Sequence, residues 1–355
     1  MALTNKQTRI VDNLVEMRSS IIPIIGEDIF YVLDAENRKI SIQEYLTDCF
    51  VKVYDDVAVS PSALSIMKHG GYYGLSKLAA TFCDDFADDY RSYIKQAKNS
   101  GIIKVDETVL RFLSAFRFPL IVTTSCFDIL ESVLHDQVVR YSSMSYRIDG
   151  ENDSAISDSK YTVYHIFGLV ADGANWVYDE NQLLEFMHSL HDKDSTSKNL
   201  KKYIDSHQSR LLVLGCNLPD WLFRFLWYPI KAEHRTSASI RHGYWLSTHE
   251  CDDSFNDFLA NIKFFSTTEV NEILDYATLK MTAIQHDEEE TKDETFDAFI
   301  SYASEDRPLA TRIYQMLTQK GYRIWFDKDG QGQIAPGSNY MRKIMSGVEK
   351  SAHYL

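Results

Sequence analysis

Short apolar runs at residues 21–25, 119–124, 162–167 and 211–214 most constrain what this chain can become. Each is β-branched or aliphatic throughout, and each gives way to small or polar residues. Near-continuous hydrophobicity of that length suits a strand buried on both faces, which is the signature of a parallel sheet. Longer segments with helical spacing lie between them. Val109, Phe112, Leu113 and Phe116 recur at three- and four-residue steps and mark one helix face. Gly70-Gly71 and Asp149-Gly150 mark turns. The expected fold class is therefore α/β, with strands joined by helical crossovers.

The 355 residues are enough for two or three domains. Hydrophobic residues make up 45% and charged residues 25%, the balance of a globular chain. The formal charge of −14 argues against direct nucleic-acid binding, since little would drive counterion release from phosphates. No apolar run approaches the roughly 20 residues of a membrane span, and the opening MALTNKQTRI lacks a signal-peptide pattern. Cys49, Cys83, Cys126, Cys216 and Cys251 are scattered, without a C-x-x-C pair. They read as reduced thiols of a cytoplasmic protein, with no zinc site.

The sharpest shift in composition is at residues 286–294, where one lysine stands among many acids. Such a block repels itself and reads as a solvated linker. The chain then divides into residues 1–280, an acidic linker at 281–294, and residues 295–355. Asp84 and Asp88 lie one helical turn apart, as do Asp85 and Asp89. They read as a solvated helix face, and no metal site is expected. The aromatic stretch Trp221, Phe223, Phe225, Leu226, Trp227 and Tyr228 reads as core, with an oligomer contact as the alternative.

Four segments in order, beginning at Ile22, Ile121, Val163 and Val213 and each running from an apolar strand into a polar or glycine turn, resemble the sirtuin-like NAD-binding domains of bacterial defence proteins. Ile22-Pro23-Ile24-Ile25-Gly26-Glu27-Asp28 stands where that family has a strand and a glycine-rich phosphate loop. Thr123-Thr124-Ser125-Cys126-Phe127-Asp128 is similar to its Thr-Thr-Asn-x-Asp stretch. Val163-Tyr164-His165-Ile166-Phe167-Gly168 is similar to its strand ending in His-Gly. Gly215-Cys216-Asn217-Leu218-Pro219-Asp220 resembles its late Gly-x-Ser turn. The resemblance implies a Rossmann-like parallel sheet and a pocket from Gly26, Thr123, Thr124, Ser125, Asp128, His165, Phe167 and Gly215.

The departures matter more. A pyrophosphate needs glycine N–H groups at close approach, yet Glu27 and Asp28 follow Gly26, and their carboxylates would repel phosphates. Ser125 replaces the family's Asn. Phe167 replaces its general base, and a phenyl ring moves no proton. His165 shares the strand face of Phe167, but the two Cβ atoms are roughly 6–7 Å apart. It reads as a satisfied strand-end histidine. Residues 1–280 are thus expected to be catalytically dead and to sense or self-assemble. The alternative is a nucleotide-like ligand held by Gly26, Thr123, Thr124 and Gly215.

After the linker, Phe296-Asp297-Ala298-Phe299-Ile300-Ser301-Tyr302 predicts a strand. Leu309, Ile313, Met316 and Leu317 predict a helix face, Gly321 a left-handed stop, and Tyr322-Arg323-Ile324-Trp325-Phe326 a second strand. A second helix from Ser338 would turn Tyr340, Ile344 and Val348 inward. These motifs, with Asp306, Pro336-Gly337, Glu349, Lys350 and Ser351, resemble the Toll/interleukin-1 receptor (TIR) domain, a flavodoxin-like fold. The resemblance implies an NAD site walled by Tyr302, Ala303, Ser304 and Asp327, with core or cap roles competing for Tyr302, Trp325 and Ser304. It also implies a family glutamate, placed after the third strand, that stabilises an oxocarbenium-like state. The chain is expected to stop where that strand begins. That leaves the first half of the TIR domain, a first strand with one edge unpaired, no catalytic residue among these positions, and about seventy further residues in the natural protein.

The two resemblances together imply a cytoplasmic anti-phage effector. The sirtuin-like part would answer a phage-derived or second-messenger trigger and build a homo-oligomer or filament, and the assembled TIR domains would hydrolyse NAD, a substrate and not a cofactor. A non-catalytic TIR adaptor, or NAD hydrolysis by the sirtuin-like part, are the alternatives. No cofactor and no membrane partner are expected.

Overall fold

The computed structural model describes all residues except 1–2, 35, 83–85, 138–139, 146–155, 157–159, 173–175, 192–197, 207–208, 231–242, 291–295, 327–347, 349–350 and 355. The turn at Asp149-Gly150, the Asp84 and Asp85 pair members, Asp327, and the expected second TIR helix with Pro336, Gly337 and Tyr340 lie outside the described residues. The chain separates into two compact units, Met1–Thr278 and Leu279–Leu355. Among the described residues no helix is long and apolar enough to cross a membrane.

The strands of the first unit are β1 (Ile21–Ile25), β2 (Phe30–Leu33), β3 (Lys39–Ser41), β4 (Ile103–Val105), β5 (Leu120–Thr123), β6 (Ser142–Ser145), β7 (Thr162–His165), β8 (Arg210–Leu214), β9 (Gly243–Leu246) and β10 (Phe264–Thr267). Seven form one sheet in the order β10-β9-β8-β1-β5-β7-β6, with every neighbouring pair parallel. β2, β3 and β4 make a small antiparallel sheet. The four apolar runs all became strands of the large sheet, and β1, β5 and β7 are buried along their whole length. The order runs outward from β1 in both directions, so the topological switch falls between β1 and β8.

Helices cover the sheet with the faces that the periodicity predicts. In Glu107–Phe116 the Asp106 side chain accepts from the N–H groups of Thr108 and Val109 at 3.0 and 3.2 Å, and Val109, Phe112, Leu113 and Phe116 are buried. The aromatic stretch forms the helix Asp220–Ile230 and divides by face. Leu222, Phe223 and Leu226 join the core, whereas Trp221 and Phe225 are exposed. The Trp221 indole N–H donates to the Tyr73 hydroxyl at 2.8 Å. Asp88 pairs with Arg91 at 2.9 Å, and Asp89 accepts from the Tyr54 hydroxyl.

At the switch the chain passes itself with no room for a side chain. The Gly26 N–H donates to the Leu214 carbonyl at 2.8 Å. A Cβ on Gly26 would stand 2.1 Å from the Gly215 oxygen and 2.4 Å from the Cys216 Cα, both backbone atoms. Gly215 itself has φ +60. Gly26 is therefore required by strand packing.

His165 is fully buried and doubly bonded. Its Nδ1 lies 2.7 Å from the Ser125 carbonyl, an acceptor only, so Nδ1 carries a proton. Its Nε2 lies 2.7 Å from Glu131 Oε1, which also accepts from the Ser143 hydroxyl at 2.6 Å. The network ties β7 to edge strand β6 and to the helix Ile129–Gln137.

In the second unit β11 (Phe296–Phe299), β12 (Ile324–Trp325) and β13 (Ser351–Tyr354) form a parallel sheet in the order β12-β11-β13. This corrects the expectation that the chain stops before a third strand. Phe296 pairs with Ser351 and Phe299 with Tyr354, so neither edge of β11 is open. The intervening helix, Arg307–Gln319, carries Pro308 in its first turn and ends in a Schellman turn: Tyr322 N–H donates to the Leu317 carbonyl at 3.1 Å and Gly321 N–H to Thr318 at 3.0 Å, with Gly321 at φ +89. Its inward face also needs correcting. Ala310 is buried, with Ile313, Tyr314 and Leu317 half-buried, while Leu309 and Met316 point to solvent. Residues 281–290, assigned to the linker on composition, continue the helix Val270–Glu290.

Gly26→Ala is expected to cost about 3 kcal/mol or more, because the clash is with backbone that cannot rotate away. Gly101→Ala meets nothing within 4 Å and bears only the strain of φ +67, so it should cost less. Comparing the urea midpoints of the two variants checks this, and equal midpoints would contradict the packing argument.

Candidate functional site

Strand ends in a doubly wound sheet leave a crevice at the switch point, because the following segments diverge to opposite faces. Here a cleft of about 240 Å³ occupies that place. Its walls are Glu27 and Asp28 after β1, Thr124 after β5, Phe167 after β7, Asn217 after β8 and His249 after β9. Lys68, His69 and Tyr72 close it from the helices Pro61–His69 and Tyr72–Thr81.

Of the predicted pocket residues, Thr124 and Phe167 line this cleft, and the others are used elsewhere. Gly26 and Gly215 are pressed together as described. The buried Thr123 hydroxyl donates to the Ile25 carbonyl at 2.9 Å and accepts from the Ser125 N–H at 3.1 Å. The Ser125 hydroxyl oxygen accepts from the Phe127 N–H at 3.3 Å, which closes a tight turn. Asp128 pairs with Lys98 at 2.7 Å. His165 is held within the Glu131 network. The Phe167 ring packs edge-on against Phe186, with centroids 5.3 Å apart. An apolar wall thus stands where the resemblance places a base.

The floor is acidic. Burial, with the neighbouring Asp28 charge second, raises the Glu27 carboxyl from 4.5 to about 7. Burial also raises Asp28, against the opposing pull of His249, whose Nε2 stands 3.3 Å from Asp28 Oδ2. Lys68 is spent on Asp48 at 2.6 Å and Glu44 at 3.7 Å. Burial pushes the Cys126 and Cys216 thiols up, so neither offers a thiolate nucleophile. Burial also raises Tyr72, whose hydroxyl donates to the Asp179 carbonyl at 2.9 Å. The arrangement suits neutral or cationic groups and opposes a pyrophosphate.

In the second unit, Tyr302 is half-buried after β11 and stacks on Phe326 at 5.3 Å, and Phe326 also stacks on Tyr314 at 5.0 Å. Phe299 stacks on Trp325 at 4.6 Å. Ala303 is exposed and precedes the single 3-10 turn Ser304–Asp306. Tyr302, Ala303 and Ser304 thus sit together at the end of the central strand. Sequence reasoning missed Glu131 and His249. Glu131 is one acid on a short helix and His249 one histidine in a polar loop, and neither spacing signals a partner.

The Glu27 shift carries a pH dependence. The folded chain holds a proton between about 4.5 and about 7 that the unfolded chain releases. Its contribution is therefore full below 4.5 and is lost as pH rises through 7. Urea unfolding at about pH 5 and pH 8 should show wild type losing on the order of 2 kcal/mol more than Glu27→Gln. Parallel losses would mean that Glu27 is solvated.

Comparison with known families finds a match within each unit. No curated protein matches the chain. Residues 119–265 match the SIR2-like domain, and residues 298–355 match the TIR domain. The chain carries a SIR2-like domain followed by a C-terminal TIR domain, both of α/β class with parallel sheets.

Proposed function

We propose that this chain is a cytoplasmic anti-phage effector in which the SIR2-like domain senses or assembles and the TIR domain hydrolyses NAD at the nicotinamide–ribose bond. The observation that carries the division of labour is the composition of the strand-end cleft. Glu27, Asp28 and Phe167 line it, at the positions where the resemblance implies phosphate-binding amides and a proton-transfer group. A SIR2-like domain so altered lacks both the anion cradle and the base that NAD cleavage would use there.

In the TIR domain the chemistry asks for less from these residues. Cleavage of the glycosidic bond builds positive charge on the ribose, which a carboxylate stabilises and an aromatic wall shelters. Tyr302, braced by Phe326 at 5.3 Å, supplies such a wall, and Ala303 leaves space beside it. Asp327 is the residue proposed to contact the ribose, and the family glutamate is assigned no position among the 355 residues. Self-assembly would bring neighbouring TIR domains together and complete their sites. The trigger is proposed to be a phage-derived molecule or a second messenger.

The test follows free nicotinamide from NAD, using the protein with and without an activator. Expected are release from the activated protein and a fall of at least tenfold on Tyr302→Ala. Release that survives Tyr302→Ala would place the activity in the SIR2-like domain and sink the reading. No release under any assembled condition would favour the adaptor.

A further inference from the structure

A second cavity lies at the far edge of the large sheet, away from the strand-end cleft. It measures about 270 Å³ and runs between the first two turns of the helix Asn5–Glu16 and the outer strands β9 and β10. Asn5, Lys6, Arg9, Ile10 and Asn13 face it from the helix, at the spacing of one face. Tyr244 and Phe265, direct partners across β9 and β10, face it from the sheet.

Its charge is opposite to that of the molecule. The protein carries −14, yet no carboxylate lines this cavity, and Lys6 and Arg9 do. Among the described residues no acid pairs with either. Lys6 Nζ stands 4.4 Å over the Phe265 ring, which fixes the ammonium at the mouth. The first helical turn contains no acid to offset the positive end of the helix dipole. Asn5 and Asn13 add carboxamides that can donate and accept together, the pairing that reads the edge of an adenine. Ile10, Tyr244 and Phe265 supply apolar walls, and the volume is near the lower end of small-molecule sites.

From the cations at the rim, the carboxamides beside them and the apolar walls, we infer that this cavity binds a nucleoside monophosphate. The phosphate meets Lys6 and Arg9, and the flat base lies along Ile10 and Tyr244 with its edge toward an Asn side chain. This would be a ligand site separate from the strand-end cleft and independent of any NAD hydrolysis.

Calorimetric titration of the 355-residue chain with AMP, ribose 5-phosphate and inorganic phosphate tests the inference. Saturable AMP binding is expected, at least tenfold tighter than that of ribose 5-phosphate or inorganic phosphate. It should fall at least tenfold in Lys6→Glu/Arg9→Glu, and weaken with added salt. Both positions are exposed, so the variant should keep the parent's circular dichroism and unfolding midpoint. Asn13→Leu should lower AMP affinity and leave that of phosphate unchanged. Three results would overturn the inference: no AMP binding at millimolar ligand, equal affinity for inorganic phosphate, or AMP binding indifferent to the double charge reversal.

Discussion

The close approach of Gly26 and Gly215 is the constraint on which the first unit depends. A parallel sheet that winds both ways from its centre must bring the ends of β1 and β8 together, and here they meet backbone to backbone. The Gly26 N–H closes on the Leu214 carbonyl, and the Asp28 N–H on the Gly215 carbonyl at 3.1 Å. That second bond holds the turn after β1 against β8, which delivers Glu27 and Asp28 to the cleft. In a nucleotide-binding sheet the same glycine leaves its amide open to a phosphate. In this chain the amide is already bonded to the Leu214 carbonyl, so sheet packing alone accounts for the glycine.

The same economy explains His165. A histidine three residues before a glycine looks like part of a catalytic strand end, but its two ring nitrogens are satisfied by the Ser125 carbonyl and the Glu131 carboxylate. The network it anchors compensates for a weak edge. β6 is Ser-Ser-Met-Ser, with little apolar surface to hold it against β7, and Ser143 reaches Glu131 and Ser145 reaches Asp172 instead. Polar bonds do there what side-chain burial does at β1 and β5.

How much was legible follows from where the information sits. β1, β5, β7 and β8 could be read from composition because both of their faces are buried, so no neighbour was needed to interpret them. β6 could not be read, because its stability comes from partners on other elements. β13 is only four residues long, and its neighbours resemble a helix end, so length and hydropathy gave no warning of it. The helix Arg307–Gln319 shows a subtler limit. Leu309, Ile313, Met316, Leu317 and Ala310, Ile313, Tyr314, Leu317 are both valid helical stripes in one segment. Hydropathy favours the first, while the sheet takes the second, where a small Ala310 allows close approach and Tyr314 stacks on Phe326.

The candidate site was legible as a substitution pattern and not as geometry. Phe167 and the carboxylates Glu27 and Asp28 could be picked out in the sequence, and all three line the cleft. Their consequence could not be seen, because it depends on His249 arriving from β9 and on how far burial drives Glu27. A carboxyl that is proton-bearing near neutral pH behaves as a hydrogen-bond donor, not as the fixed negative charge that sequence alone suggests. The cleft therefore carries more negative charge above pH 7 than below it. Replacing Phe167 by histidine would put an imidazole on the cleft wall without freeing a backbone amide for an anion, since the Gly26 N–H stays on the Leu214 carbonyl.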